Sequence, residues 1–324
     1  MKDLVLMKGA HKIATVCGNV KACEKVVIVT DFNKVEFAQA IAAVCLELKA
    51  EVVISIMEPR KMHNEQLPDA VAASMKEADI IFVPTTWSIA HTKARIEACK
   101  AGTRVVNLPA LERQTMISGG IDLDFKAQAP MVRKVADRLT KAKLARVTTD
   151  LGTDITIGIE GREGAALVGM AHEPGVFATV PDVEARVTPV EGTSNGVIYV
   201  DGSIPVPGIG LIKEPIKVTV KDGFAVKIEG GQEADSLREI LESAKDKGAY
   251  NIAELGIGMN TSARLIGVML EDEGSFGTIH IAVGTNAAFG GKVTTSLHLD
   301  MMIRKPVLEL DGEVILDRGK LLIS

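Results

Sequence analysis

Two histidines near the carboxyl end of the chain lie inside apolar runs, where a polar ring needs a specific partner. In the run Ile279–Val283, residue alternation places His280 on the face opposite the isoleucines. In Leu297–Asp300 the same alternation places His298 and Asp300 together on one face. An imidazole and a carboxylate side by side on one strand can bind a cation, or they can simply hydrogen-bond to each other.

Carboxylates in neighbouring segments favour the metal interpretation. Glu254 lies in an apolar stretch that begins at Asn251, and the acidic run Glu271–Glu273 lies shortly before His280. Imidazole and carboxylate donors without a nearby thiolate suit zinc, manganese, cobalt or ferrous iron. Plainer explanations exist, because acidic runs are typical of turns and Glu184, farther upstream, is typical of a solvated loop. The sequence therefore predicts a divalent metal site, with a simple His–Asp pair as the alternative.

The composition indicates a globular protein that binds neither nucleic acid nor membrane. At 324 residues the chain is long enough for two domains, with 47% hydrophobic and 24% charged residues. A net charge of −5 gives no attraction to nucleic acid or an anionic membrane, and aromatic residues make up only 3% of the chain, too few for base stacking. The sequence contains no apolar run of spanning length and no signal-peptide pattern. With four scattered cysteines, these features predict a cytoplasmic protein with reduced thiols.

Residues 1–144 alternate between strand and helix patterns. Short apolar runs predict strands at Lys25–Asp31, Glu51–Ile56, Asp79–Thr86 and Thr103–Pro109, with amphipathic segments between them. This alternation is typical of a doubly wound, Rossmann-like parallel sheet, which binds ligands at the carboxyl ends of its strands. Because neither a GxGxxG nor a GxxxxGK[ST] motif follows a strand, a dinucleotide or nucleoside triphosphate site is not expected.

Residues 145–324 have a different pattern, rich in Gly, Val, Thr and Pro. Turn pairs such as Asp201-Gly202 separate short alternating segments, and only Ala234–Lys247 has the pattern of a clear helix. The sequence therefore predicts an α/β fold with two domains. The N-terminal domain, residues 1–144, is a doubly wound parallel sheet. The C-terminal domain, residues 145–324, is mostly antiparallel, β-rich and metal-binding.

The order of motifs in the second half resembles one known family. The motifs are VPDVEARVTP around Glu184, ELGIGMN around Glu254, EDEGSFGTIHIAVG around His280 and HLD at His298–Asp300. Together they resemble the M29 family of metallo-aminopeptidases, the aminopeptidase T group, whose fold is shared by 2,5-dihydroxypyridine 5,6-dioxygenase. The resemblance covers about the last half of the chain. The first half fits in its α/β character and is shorter than the N-terminal domain of the peptidases.

The resemblance implies a set of metal ligands and a set of catalytic carboxylates. The ligand positions of the family are matched by Glu184, Glu254, His280, His298 and Asp300. In the peptidases these positions hold two divalent ions, with one carboxylate bridging them. Two ions would polarise a carbonyl group and lower the pKa of a bridging water. Glu273 matches an acidic position before the histidine strand and is the expected proton shuttle, which gives Glu184, Glu254 and Glu273 as catalytic carboxylates.

One departure from the peptidase pattern keeps a second enzyme class open. The peptidases carry a tyrosine at the position of Ala287. The related dioxygenase uses a single ferrous ion and has other residue types near the positions of Glu254 and His280. The five ligands therefore favour the peptidase-like centre, whereas Ala287 keeps the dioxygenase as the alternative.

Three functional hypotheses follow. The first is a metal-dependent hydrolase of the aminopeptidase type that uses zinc, cobalt or manganese to cleave short peptides or a related small amide. The alternative is a mononuclear Fe(II) dioxygenase that opens a dihydroxypyridine-like ring. The third is a small-molecule or structural protein whose histidines only pack in a core. Extended segments such as Val197–Val200 could pair between subunits, so a homodimer is expected by analogy.

Overall fold

The computed structural model describes residues 4–323, which form two compact units. Unit 1 comprises residues 4–127 and 167–182, and unit 2 comprises residues 128–166 and 183–323. The sequence predicted a single boundary between residues 144 and 145, whereas the chain passes between the units at three points. It returns to unit 1 because the short strand Phe177–Thr179 pairs with the last strand of the preceding parallel sheet.

The described residues form the following elements. The helices are α1 (Met7–Lys12), α2 (Val35–Glu47), α3 (Asp69–Lys76), α4 (Lys93–Lys100), α5 (Arg113–Ile117), α6 (Phe125–Lys141), α7 (Gln232–Ser243) and α8 (Met269–Asp272). The strands are β1 (Lys25–Asp31), β2 (Glu51–Met57), β3 (Ile80–Thr85), β4 (Arg104–Pro109), β5 (Leu144–Thr148), β6 (Asp154–Gly158), β7 (Ala165–Leu167), β8 (Phe177–Thr179), β9 (Glu184–Val187), β10 (Asn195–Val200), β11 (Ser203–Ile204), β12 (Gly210–Leu211), β13 (Ile216–Lys221), β14 (Phe224–Glu229), β15 (Ile252–Gly258), β16 (Ile279–Gly284), β17 (His298–Ile303), β18 (Val307–Leu310), β19 (Glu313–Asp317) and β20 (Lys320–Leu321). Short helical turns lie at Leu4–Leu6, Ile13–Cys17, Gly120–Asp122, Lys247–Tyr250 and Ala287–Phe289.

The sheet of unit 1 is parallel and has the strand order β2-β1-β3-β4-β8. Every residue of β3 and β4 is buried, as expected for continuous apolar strands covered on both faces. On one face, α3 and α4 pack around a cluster that includes Ile81 and Met75. On the other face Phe82 lies against Gly18, which follows the first helical segment. The predicted doubly wound α/β fold is confirmed.

Unit 2 contains two larger sheets. One has the order β14-β13-β10-β6-β5-β18-β19-β20, and all of its paired neighbours are antiparallel. The other has the order β17-β16-β15-β9-β7 and is called the site sheet below. Its strands β9, β15, β16 and β17 are also antiparallel. The predicted β-rich, mostly antiparallel character of the second half is therefore confirmed.

Two further properties follow from the same elements. None of the helices between residues 4 and 323 is both long and apolar enough to cross a membrane. All four cysteines are free thiols, as the sequence predicted. Cys17 and Cys45 are buried, and burial raises the pKa of each thiol to about 12, so neither side chain is ionised at neutral pH.

Candidate metal centre

The site sheet carries all five predicted ligands on adjacent strands. Glu184 begins β9, Glu254 lies in β15, His280 lies in β16, and His298 and Asp300 lie in β17. In each strand the residues that alternate with these side chains are apolar and buried. Packing of that opposite face therefore determines which side chains turn toward the site, because a one-residue slip would reverse the two faces.

Strand pairing places Glu254 and Asp300 in one row across the sheet. Ala282 pairs with Glu254 on one side and with Asp300 on the other, so the two carboxylates flank a single small residue. The pairing of β15 with β16 shifts between Ile252 and Glu254, which leaves Ala253 as a bulge. If regular pairing continued from Ile252, Ala253 would oppose Ala282 and Glu254 would oppose Ile281, so the carboxylate of Glu254 would point to the other face.

Glycines provide room for the longer side chains on this face. Gly256 pairs with His280 in β16 and with Arg186 in β9. A Cβ atom at Gly256 would lie 1.9 Å from Nε2 of His280, so the imidazole ring occupies the space above this glycine. Gly258 pairs with Glu184 in the same way. The small residues therefore allow imidazole and carboxylate groups to converge.

The polar atoms of the five side chains form one continuous cluster, in which each contacts at least one other. Nε2 of His280 is 3.1 Å from Oε2 of Glu184 and 3.6 Å from Oε1 of Glu254. Both histidines approach the same oxygen of Asp300, with Nε2 of His280 at 4.0 Å and Nε2 of His298 at 3.5 Å. His298 is also 3.5 Å from Oε2 of Glu254. Ligand atoms bound to one ion at about 2.0–2.2 Å are themselves roughly 3–4 Å apart, which agrees with this spacing.

The hydrogen bonding of these groups fits a bound divalent metal ion. In the described part of the chain, the buried Oε2 atom of Glu184 has no hydrogen-bond partner, although it faces His280. Nδ1 of His298 lies 2.9 Å from the carbonyl oxygen of Thr285, which favours a proton on Nδ1 and leaves the lone pair on Nε2. Ligand atoms of Glu184, Glu254 and His280 all lie within 4.8 Å of one another. An unpaired carboxylate oxygen of Glu184 and a neutral imidazole of His298 with its lone pair on Nε2 are suitable donors for such an ion.

Arg186 is a member of the site that the sequence interpretation missed. Its Nη1 atom is 2.8 Å from Oε2 of Glu254, and its Nε atom is 3.6 Å from Oε1 of Glu184. The ring of Phe289 lies 3.8 Å from the guanidinium carbon, and the same ring meets His298 edge-on at 5.3 Å. Alternation with Glu184 in β9 was a signal that could have found Arg186. Phe289 comes from a Gly-rich loop and had no comparable signal.

Glu273, the predicted proton shuttle, lies beside the five ligands. It directly follows α8, and its carboxyl group hydrogen-bonds to Asp300. Two carboxyl groups can form such a bond only when a proton lies between them. Glu271 and Asp272 instead accept hydrogen bonds from the backbone of residues 264–267, so they order the preceding loop and do not join the ligands.

The positive charges in the site keep Glu254 and Asp300 ionised. Burial opposes ionisation of Asp300, but the positive charges of His298 and His280 outweigh it and hold the pKa of Asp300 well below its ordinary value. Burial also opposes ionisation of Glu254, and the charge of Arg186 outweighs it, so the pKa of Glu254 is lowered as well. Glu254 and Asp300 are therefore in the negatively charged form that binds a metal ion.

We expect metal binding at this site to release protons and to strengthen as pH rises. Burial lowers the pKa of His298, but the charge of Asp300 outweighs it and raises that pKa to about 9. Because a ligand imidazole must be unprotonated, an ion has to displace this proton at neutral pH, and the competition weakens as pH approaches that pKa. Calorimetric titration with Mn²⁺ in buffers of different ionisation enthalpy measures the released protons. An affinity that is equal at about pH 6 and about pH 8 would contradict this expectation.

The chain is similar to two groups of known enzymes. A family model described as NicX, 2,5-dihydroxypyridine 5,6-dioxygenase, matches residues 7–323. The 2,5-dihydroxypyridine 5,6-dioxygenase of Pseudomonas putida KT2440 is 24% identical over 260 residues, covering 77% of this chain and 73% of the relative. The solved structure of the 2,5-dihydroxypyridine dioxygenase from that organism has a TM-score of 0.85 and 20% identity, covering 100% of this chain and 99% of the other. Wild-type AmpT from Thermus thermophilus has a TM-score of 0.72 and 16% identity, with both chains covered completely. These two likenesses to solved structures show the fold.

Proposed function

The chain belongs to the 2,5-dihydroxypyridine 5,6-dioxygenase family, and we propose that it is a mononuclear non-haem iron(II) dioxygenase that opens a hydroxylated, nitrogen-containing aromatic ring. The sequence interpretation favoured an aminopeptidase and kept this enzyme as the alternative. The family model and the Pseudomonas putida relative support the alternative better than the aminopeptidase.

The observation that carries the proposal is the convergence of two imidazoles on one carboxylate. Nε2 of His280 and Nε2 of His298 both face Oδ1 of Asp300. Two histidines and one carboxylate form the donor set of many non-haem iron(II) oxygenases, and open positions on such an ion admit substrate and dioxygen. Glu254 and Glu184 would complete the coordination or orient the histidines. A ferrous ion held here would supply the electron transfer that lets dioxygen react with an aromatic ring.

The side chains around the ligands suit a flat, hydroxylated substrate. The side chains of His298 and Asp300 are 18% and 12% exposed, whereas His280 is 1% exposed, so a ligand would approach along the β17 side. Phe289, edge-on to His298, offers an apolar wall on that side. Glu273, whose carboxyl group hydrogen-bonds to Asp300, is the group that would exchange a proton with a substrate hydroxyl. The proposed reaction inserts both atoms of dioxygen and breaks one ring carbon–carbon bond, and the ring supplies all the electrons.

Oxygen consumption tests the proposal directly. The protein would be loaded with Fe²⁺ under argon and mixed with 2,5-dihydroxypyridine, and dioxygen uptake would be followed with the loss of ring absorbance. We expect uptake of one dioxygen per ring opened and incorporation of both labelled atoms from ¹⁸O₂. Equal turnover under argon would exclude the proposal, as would the absence of uptake in protein that retains iron.

The aminopeptidase remains the second candidate because of one specific group of side chains. Buried Glu184, Glu254 and His280 form a carboxylate-rich cluster of the kind that holds hydrolytic metal ions. The fold likeness to AmpT agrees with this candidate. Against it, Ala287 is exposed in a short helical turn at the position of the peptidases' tyrosine. Hydrolysis of leucine amide by protein loaded with Zn²⁺, Co²⁺ or Mn²⁺, without dioxygen, would establish this candidate instead.

Three broader features belong to the same proposal. The substrate would be a small aromatic molecule, because Phe289 is the ring beside the ligands. A homodimer and a cytoplasmic location stay predictions from the sequence. Sedimentation of the purified protein and fractionation of its native cells would test them.

A further inference from the structure

We propose that Arg186 acts as a fixed positive charge that limits the metal centre to one divalent ion. The inference rests on the proposed function only in that the five side chains hold a metal. It concerns the number of ions and not the reaction, so the two can fail independently.

The guanidinium group of Arg186 lies against one carboxylate oxygen of Glu184 and one of Glu254. A second ion would need these oxygens as ligands. Oε1 of Glu184 faces Nε of Arg186 at 3.6 Å, while Oε2 of Glu184 faces His280 at 3.1 Å. In Glu254, Oε1 lies 3.6 Å from Nε2 of His280, and Oε2 lies 2.8 Å from Nη1 of Arg186 and 3.5 Å from Nε2 of His298. In two-metal sites, ions about 3.5–4 Å apart are commonly joined by shared carboxylates. Here the guanidinium group of Arg186 lies where a second ion would bridge the two glutamates.

The balance of charge in the site also favours a single divalent ion. Glu184, Glu254 and Asp300 bring three negative charges to the cluster, and Arg186 brings one positive charge. With neutral imidazoles, one divalent ion balances the remaining charge, whereas two would leave a buried excess of positive charge, which is unfavourable in a partly desolvated site.

Arg186 is held in this position from its other side. The guanidinium carbon lies 3.8 Å from the centre of the Phe289 ring, a favourable cation–π contact. The backbone carbonyl of Phe289 accepts a hydrogen bond from Oγ1 of Thr188 at 2.7 Å, which ties the loop to the end of the strand that bears Arg186. The side chain of Arg186 is 18% exposed, so displacing it would require the loop to move.

Metal counting with Mn²⁺ tests the inference without any assay of activity. The wild-type protein and an Arg186→Met variant would be purified in Mn²⁺, dialysed and analysed for metal per folded chain. We expect one equivalent in the wild type and two in the variant, because methionine keeps an unbranched apolar stem but removes the charge. Two adjacent Mn²⁺ ions couple magnetically, so the hyperfine-split resonance of isolated Mn²⁺ should be lost in the variant.

Three further variants separate charge from disturbance of the fold. Arg186→Gln also removes the charge and should bind two equivalents, whereas Arg186→Lys keeps the charge and should stay at one. Arg238→Met removes a partly exposed arginine that pairs with Asp235 in the same unit, and it should also stay at one. A wild-type protein with two equivalents would overturn the inference, as would one equivalent in both Arg186→Met and Arg186→Gln. Because Mn²⁺ is present throughout purification, a variant that depends on metal for folding is still counted.

Discussion

An Asp300→Asn variant is expected to bind divalent metal at least about 100-fold more weakly than the wild type, since loss of a direct ligand should exceed the 10–100-fold typical of outer-shell changes. Oδ1 of Asp300 is the oxygen that both His280 and His298 approach. Asparagine keeps the size of the side chain and removes its charge, so the imidazoles lose the partner that brings them to one point. Equilibrium dialysis with Mn²⁺ measures the change, and ring opening with Fe²⁺ should fall in parallel.

A matched aspartate elsewhere in the same unit provides the control for this variant. Asp154 pairs with Arg146, and both side chains are largely exposed, so the pair contributes little to stability. Asp154→Asn should leave metal affinity unchanged. If Asp300→Asn bound Mn²⁺ as tightly as Asp154→Asn, then Asp300 would not be a ligand and the donor set proposed for iron would be wrong.

A Gly256→Ala variant is expected to have the second largest effect. The added methyl group would lie 1.9 Å from Nε2 of His280 and 2.2 Å from its Cε1 atom, so the ring must move. His280 is buried among Glu184 and Glu254, and moving it removes a donor from the centre. We expect metal affinity to fall by about 10–100-fold and the free energy of unfolding to fall by about 1–3 kcal/mol. Equilibrium dialysis and urea denaturation measure the two quantities separately.

Gly248→Ala is the matched control for this second variant. A Cβ atom at Gly248 would meet nothing closer than a methyl group of Val293 at 3.2 Å. Metal affinity should therefore stay at the wild-type value. Unchanged affinity in Gly256→Ala would show that His280 is not needed for metal binding.

The fold could be predicted from the sequence where a segment has a long apolar run. It was harder to predict where a segment becomes a strand only by pairing with a distant neighbour. The continuous apolar runs of β3 and β4 predicted a parallel sheet covered on both faces. The amphipathic segment before the fourth strand predicted a helix but not its first residue, which is set by a cap: the Oγ1 atom of Thr92 accepts a hydrogen bond from the amide of Arg95. β8 is three residues long, too short for a periodic signal, and it is a strand only because β4 lies beside it.

The site was predictable to the extent that alternation alone defines a face. His298 and Asp300 share a face of β17, and His280 is the polar residue of its strand, so alternation was enough to identify three of the predicted donors. The bulge at Ala253 could not be predicted from the sequence, because it arises from the pairing of β15 with β16. This bulge determines which face of the sheet carries the side chain of Glu254. The sequence also did not distinguish Arg186 from the other arginines as a site residue, because its role depends on contacts with two carboxylates that come from different strands.

The rows of paired residues beneath the ligands have an evolutionary consequence. The functional groups project from strands that are hydrogen-bonded to their neighbours, so the backbone path does not depend on which polar group occupies a given row. A single codon change at the position of Arg186 could therefore alter the polar groups on this face without rebuilding a loop. Such a framework can diversify by point mutation alone.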